Sequence, residues 1–165
     1  MATGRTVSRY VKFQIDDSAG TVRDIPVNSI NGVGLEYEEV DLTAFQDVIK
    51  GVLLGLPDAT IEISGPFDTT AAQAASGTGA APALSGSHTV LNPINGLNVP
   101  LTMGIYFGIR ANWATGDPAF GITSTAANGV VCSKYTVNPD DSTYSASFKP
   151  VAGSTILAWG TAAYT

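Results

Sequence analysis

Residues 56–68 read LPDATIEISGPFD, a short alternating segment with an abrupt end. Ile61 and Ile63 point to one face and Glu62 points to the other, which is the pattern of a β-strand with one buried side. Gly65 and Pro66 then stop the strand, because proline cannot donate to a ladder and glycine permits the turn. The segment predicts a half-buried strand that ends where a long stretch of small residues begins.

The composition favours a single turn-rich β domain over residues 1–165. A prior of roughly 150 residues per domain leaves no room for two full cores. Hydrophobic residues make up 44% of the chain, which is enough for one core, and 18 glycines and nine prolines suit many turns. Charged residues make up 13%, about half of the ~25% that is usual in globular proteins.

Several protein classes are disfavoured by the same sequence. No stretch is long and apolar enough to span a membrane, and the N-terminal segment MATGRTVSRY lacks the apolar part of a signal peptide. Cys132 is the single cysteine, so no internal disulfide is expected. A net charge of −6 argues against nucleic acid as a tightly held ligand, since phosphate binding is driven by lysine and arginine.

The charges are segregated along the chain. Half of the eight basic residues lie within the first 23 positions, at Arg5, Arg9, Lys12 and Arg23. Residues 24–68 hold nine acids against one base. A basic end beside an acidic middle predicts pairing within one molecule or between neighbours, unless the clustering is only a solvated surface.

Two strand signals precede the quoted segment. Residues 11–27 alternate on either side of the turn DSAG, which predicts a hairpin whose return strand stops at Pro26. Further along, in VGLEYEEVDL (residues 33–42), the apolar period slips by one at Glu38-Glu39. A β-bulge there would keep both apolar sets turned inward.

Residues 43–55, TAFQDVIKGVLLG, carry the pattern of a helix. Thr43 and Gln46 have the spacing of a capping box, and Gly55 with Pro57 would close the helix. One apolar stripe at i, i+3, i+4, i+7 and i+8 is formed by Phe45, Val48, Ile49, Val52 and Leu53. The pattern predicts one short helix that packs against a sheet.

Residues 69–87 carry no charge and no aromatic side chain. They show neither a helical stripe nor sustained alternation, so burial cannot order them. A connection of this length is normally functional or disordered. The segment predicts an extended loop or arm that leaves the domain.

The second half of the chain continues the β pattern. Residues 99–111 alternate as one long strand, with Gly104 and Gly108 placed for a close approach by another backbone. Residues 130–151 predict a second hairpin turned at Asn138–Asp141, and residues 154–165 predict a last strand. The expected fold is mainly β, a sandwich or barrel with one short α-helix and the 69–87 arm.

No group of residues supports catalysis or a cofactor. The pairs Asp16-Asp17 and Asp140-Asp141 fall in predicted turns, where aspartate bonds its own backbone. His88 is the single histidine and is expected to cap or pack a short turn, because a two-histidine metal site is impossible within one chain. Cys132 has no recognisable base beside it and is expected to be a core residue. We therefore expect no enzyme activity, no catalytic or metal site and no cofactor.

Five blocks, in this order, carry a family resemblance: DSAGTVRDIPVNSING, LEYEEVDLTAF, LPDATIEISGPFDTT, GSHTVLNP and YTVNPDDSTYSASF. Together they span most of the chain, and their order resembles the siphophage major tail tube protein. The resemblance implies a structural virion protein, a β-sandwich with a flanking helix that stacks as hexameric rings into a hollow tube. DNA would pass through that tube as non-sticking cargo, and the other partners would be phage structural proteins assembled in the host cytoplasm.

Two alternatives stay open. The segment between the VDLT and LPD blocks is helical in pattern here but Gly-rich and extended in the tube family, which favours a capsid decoration (cement) protein, possible as trimers on the outside of a head. A carbohydrate-binding or adhesion module is a third hypothesis, although the sequence lacks an exposed aromatic cluster.

The tube hypothesis assigns roles to two parts of the chain. The 69–87 arm would be ordered by a neighbouring subunit, since small side chains let backbones approach closely. A lumen that lets DNA slide should repel phosphate, so Glu36, Glu38 and Glu62 are expected to line it.

Overall fold

Three antiparallel sheets and one helix form the part of the chain that the computed structural model describes. The described residues are 4–6, 8–44, 49, 51–73, 84–109, 111–154 and 157–165. In chain order the strands are β1 (Val11–Asp16), β2 (Val22–Ile25), β3 (Ser29–Asn31), β4 (Glu36–Asp41), β5 (Val52–Asp58), β6 (Ile61–Pro66), β7 (Met103–Phe107), β8 (Ala119–Ile122), β9 (Val130–Asn138), β10 (Thr143–Pro150) and β11 (Ala158–Gly160). The helix α1 spans Ser87–Ile94, and a 3₁₀ turn at Ser8–Tyr10 precedes β1. The expected class, mainly β with one short helix, is confirmed.

Two sheets form the sandwich. The first has the strand order β11-β8-β7-β1-β2, and the second has the order β3-β6-β10-β9. The predicted hairpins are confirmed as β1–β2, with β2 ending directly before Pro26 at a sheet edge, and β9–β10. Within residues 56–68, the first three residues end β5, and Ile61–Pro66 form β6, which pairs with β3 on one side and β10 on the other.

The core lies between the inner faces of these two sheets. Ile61 and Ile63 are buried as the alternation predicts, while Glu62 is exposed. Phe13 of β1 and Phe148 of β10 meet across the sandwich, with ring centroids 5.6 Å apart. The buried residues Val90, Leu91 and Ile94 place one face of α1 against the same core.

Gly65 lies within β6 at a place where a larger residue would not fit. A Cβ there would overlap the carbonyl oxygen of Pro26 and the ring of Tyr144. The Tyr144 hydroxyl in turn donates to the Pro26 carbonyl at 2.8 Å. The strand ends two residues later than the sequence predicted, because Gly65 still pairs with Tyr144 and Pro66 with Thr143.

The helix predicted over residues 43–55 is wrong where the structure describes it. Val52–Asp58 is strand β5, and Ile49 is 82% exposed instead of packed on a sheet. The Thr43 hydroxyl accepts from the Gly51 N–H at 3.0 Å, across the chain reversal, so it does not cap a helix. Pairing with β4 overrides the helical period, and Phe45 and Val48 lie outside the described residues. The short helix of this fold is α1 instead, which includes Pro93 and ends at Ile94.

The long strand predicted over residues 99–111 is shorter than expected. Leu101 bridges Val130 of the other sheet, and β7 begins only at Met103. The chain then turns at Gly108, where a Cβ would overlap the backbone of Ala111, as the glycine predicted. At Gly104 the close neighbour is a side chain, because a Cβ there would overlap the ring of Tyr106.

The C-terminal residues cover the outer face of the five-stranded sheet. The Tyr164 N–H donates to the Tyr106 hydroxyl at 2.9 Å, and Trp113 packs edge-on against the Tyr106 ring at 4.8 Å between centroids. Burial raises the pKa of Tyr106 to about 12. The predicted last strand is therefore confirmed only as the three residues of β11.

No helix in the described part of the chain is long and apolar enough to cross a membrane.

Candidate assembly surfaces

Three of the four paired aspartates occupy turns, as predicted. The Asp17 carboxylate accepts from the N–H groups of Ala19 and Thr21 at 2.9 and 3.0 Å and pairs with Arg23 at 2.8 Å. Partial burial alone would raise the pKa of Asp17, but these bonds outweigh it and hold the pKa below its usual value. Asp140 and Asp141 lie exposed in the β9–β10 turn. The Asp17 carboxylate therefore stabilises its turn, and in the β9–β10 turn the Asn138 side chain donates to the Asp141 carboxylate at 2.9 Å.

Asp16 does not lie in a turn, contrary to the prediction. It lies in β1 and is buried, with one carboxylate oxygen accepting from the Thr102 N–H at 2.7 Å. The Ser124 hydroxyl lies 3.4 Å from the same oxygen. Asp16 therefore links β1 to the segment before β7. This structural role could not be read from the sequence, because Asp17 beside it suggested a turn.

His88 and Cys132 have the packing roles that the sequence predicted. The His88 ring lies between Phe67 and Tyr135, and its Nδ1 is 3.0 Å from the Tyr135 hydroxyl. Cys132 is 1% exposed, and burial raises the pKa of its thiol to about 11. Among the described residues, no three His, Cys, Asp or Glu side chains are grouped so that they could hold a metal ion.

Strands β4 and β5 form a hairpin outside the sandwich, here called the exposed hairpin. All six residues of β4 are exposed, and none of β5 is buried. Apolar side chains between 41% and 87% exposed occur on both strands, at Tyr37, Val40, Leu42, Val52, Leu53, Leu54 and Leu56. Exposed apolar side chains at this density, on both faces of one hairpin, mark a contact site.

The register of the exposed hairpin shifts where the sequence slipped. Tyr37 pairs with Pro57 and Glu39 pairs with Leu54, so two residues of β5 lie opposite Glu38. The irregularity is therefore in the predicted place, although the extra residue belongs to β5. The described apolar side chains on its two sides do not turn inward to the core, because β4 and β5 form a separate two-stranded sheet.

Each face of the exposed hairpin has its own composition. Val40 pairs with Leu53, and alternation places Leu42, Glu38 and Glu36 on their side. Leu54 and Val52 share the opposite face with Glu39 and Asp41, with which they pair. The hairpin thus carries acids and aliphatic side chains together on each face.

A groove of about 600 Å³ opens beside the start of β1. Arg9 and Lys12 are the only charged side chains among the described residues that line it. Both lie over aromatic rings, Arg9 at 4.7 Å from the Tyr10 centroid and Lys12 at 5.2 Å from the Tyr106 centroid. Half-buried apolar walls are formed by Val11, Val27, Ile30, Val33 and Phe107. Sequence reasoning identified the basic cluster but not the groove, whose walls come from separate strands and connections.

The predicted 69–87 arm has a fixed base. The Gln73 N–H donates to the Ser85 hydroxyl at 2.9 Å, and the Ser85 N–H donates to the Asp24 carbonyl at 2.8 Å. Both ends of the loop are thus held beside the edge strand β2. The helix α1 begins at Ser87, so the loop is one residue shorter than predicted, and residues 74–83 lie outside the described part.

Comparison with known proteins finds likeness only at the level of structure. No protein-family model and no curated protein sequence matches the chain. The PVC sheath/tube terminator of an extracellular contractile injection system, in its extended state, superposes with a TM-score of 0.54 at 12% identity, over 96% of this chain and 99% of that one. The tube-terminating cap of the anti-feeding prophage superposes with a TM-score of 0.55 at 12% identity, over 98% of this chain and 95% of that one. At this identity, the likeness shows a shared fold.

Proposed function

We propose that this protein is a structural subunit of a phage-tail-like particle and that it acts at the end of the tail tube as a terminator. The likeness to two such proteins covers nearly the whole of each chain, so it is not limited to a common pair of sheets. The fold alone does not define a function. Support for a specific role must therefore come from the surface.

The observation that carries the proposal is the exposed hairpin. An isolated two-stranded hairpin is marginally stable in water, and this one leaves aliphatic side chains such as Leu53 and Leu56 more than half exposed among the described residues. Burying apolar surface contributes roughly 25 cal/mol per Å². A subunit whose hairpin is covered by other subunits gains this stabilisation on assembly, whereas a domain that stays monomeric does not.

A tube-forming subunit is the second candidate, and the order of the five sequence blocks favours it. Such a subunit would stack as hexameric rings around a lumen through which DNA passes. The decoration hypothesis has less support, because it depended on a helix over residues 43–55 and Val52–Asp58 is a strand. In either tail role the partners are other copies of this chain and other tail proteins, within a virion-type particle.

We also propose that the protein has no enzymatic activity. The paired aspartates serve turns or a strand, and His88 and Cys132 are engaged in packing. Alanine substitution at these positions is expected to change stability only, and a turnover abolished by one of them would contradict the proposal.

Deleting the gene in its source genome distinguishes the three structural roles by electron microscopy. Loss of a terminator is expected to leave tubes of uncontrolled length, because nothing then stops subunit addition at the end. Loss of a tube subunit would leave no tubes, and loss of a decoration protein would leave tails of normal length. Only the first result supports the terminator.

A further inference from the structure

We propose that the exposed hairpin of one copy inserts into the groove of a second copy, and that this contact links the subunits. The inference rests on the proposed function in requiring an assembly of this chain. Two surfaces take part in the contact, and the charges on both surfaces fix its orientation. The inserting face, here called the docking face, consists of Glu36, Glu38, Val40, Leu42 and Leu53.

The docking face and the groove complement each other in polarity. Val40, Leu42 and Leu53 are 43%, 60% and 57% exposed and lie together toward the chain reversal of the hairpin. The groove presents half-buried aliphatic walls from Val27, Ile30 and Val33. Aliphatic side chains that enter such a cleft remove apolar surface from water on both partners.

Their charges are opposite as well. The docking face carries Glu36 and Glu38 next to its apolar part, whereas the groove carries Arg9 and Lys12 and no described acid. No described ion pair within the chain joins these four side chains. A second copy supplies the missing opposite charge to each surface, which favours encounter in one orientation.

The contact joins copies head to tail. The hairpin leaves the domain at Glu36, three residues after Val33, which is a wall of the chain's own groove. Each copy therefore donates one hairpin and receives another through a different surface. Contacts of this heterologous type close into a ring or continue as a filament. A ring is the form that a terminator needs.

Disulfide cross-linking between two single-cysteine variants tests the contact. Leu53→Cys places a thiol on the docking face, and Asn28→Cys places one at the exposed lip of the groove. Leu54→Cys is a matched control, because Leu54 is also 57% exposed but lies on the opposite face. The native Cys132 is buried and its pKa is raised, so it should not compete.

Mixing Leu53→Cys with Asn28→Cys is expected to give cross-linked dimers, and mixing Leu54→Cys with Asn28→Cys several-fold fewer. Equal yields from both mixtures, or none from either, would overturn the inference. The gene deletion separates this failure from failure of the proposed function, because tubes of uncontrolled length would uphold the terminator even without the cross-link.

Charge reversal provides an independent measurement. Glu38→Lys is expected to raise the concentration needed for oligomers by about tenfold, since it meets Arg9 and Lys12 with a like charge. Adding Arg9→Glu to the same chain should restore much of the assembly. Glu62→Lys, which reverses an exposed acid on β6 outside the hairpin, should have no effect. Equal loss from Glu38→Lys and Glu62→Lys would show that net charge, not this contact, controls assembly.

Discussion

Leu53→Ser is expected to impair assembly while leaving the isolated subunit almost as stable as the wild type. Leu53 is 57% exposed in the free chain, and burying a whole leucine side chain contributes about 1.5–3 kcal/mol. Covering its remaining exposed part therefore contributes roughly 1–2 kcal/mol to each contact, or about 5- to 30-fold in the association constant. The same side chain is not part of the described core, so the free energy of unfolding of the subunit should change by about 0.5 kcal/mol or less.

Two measurements on one preparation test this expectation. Thermal melting of dilute subunit gives the stability, and sedimentation at rising concentration gives the assembly. Ile61→Ala is the matched control, because Ile61 is 0% exposed and its truncation should cost about 2–5 kcal/mol of stability. A Leu53→Ser subunit that melts as early as Ile61→Ala would refute the reasoning, since the hairpin would then be packed without a partner. Unchanged sedimentation would refute it equally.

Three further predictions concern the buried charge, pH and the loop. Asp24→Asn should raise the melting temperature, by an amount that corresponds to about 1–3 kcal/mol, because both Asp24 carboxylate oxygens are buried without a hydrogen-bond partner; a lower melting temperature would contradict this. Asp17 has a lowered pKa, so it stabilises the fold above its unfolded value of 3.8 and loses this effect as pH falls through the folded value; the stability difference between wild type and Asp17→Asn should therefore shrink below about pH 4. Replacing residues 74–83 with a short glycine linker should leave subunit melting nearly unchanged, because the bond from Gln73 to Ser85 is kept, and should reduce sedimenting assemblies; undiminished assembly would show that the loop is dispensable.

The elements that the sequence predicted correctly depend on local pattern. Alternation with a turn at each end was sufficient for β1–β2, for β6 and for β9–β10, because one face of each strand meets the same core. The packing roles of His88 and Cys132 were predictable because the sequence offers neither a chemical partner. Asp16 was not, because its bond to Thr102 joins residues 86 positions apart.

The helix prediction failed for a related reason. Periodicity assigns an apolar stripe to a helix on the assumption that the stripe faces the chain's own core. Val52 and Leu53 face no core in this subunit, so their spacing carries no information about helical packing. Two sequence features did indicate a strand away from the core, namely the slipped period at Glu38-Glu39 and the density of acids around it. A strand with apolar residues on both faces does not fit a sheet that buries only one face.

The acids of the exposed hairpin also account for which contact is formed. Two exposed strand edges rich in aliphatic side chains would ordinarily pair with their own kind, which is the usual route to aggregation. Five acids lie on these two strands, four of them on β4 (Glu36, Glu38, Glu39 and Asp41) and Asp58 on β5. Pairing two such hairpins would bring like charges together, whereas insertion into the basic groove brings opposite charges together. In the proposed contact, Glu36 and Glu38 lie between copies and not in the lumen, where the tube hypothesis placed them. Glu62 remains as the acid available to face a lumen. Repulsion between hairpins and attraction to the groove then act in the same direction, because both favour a head-to-tail contact over association of identical surfaces.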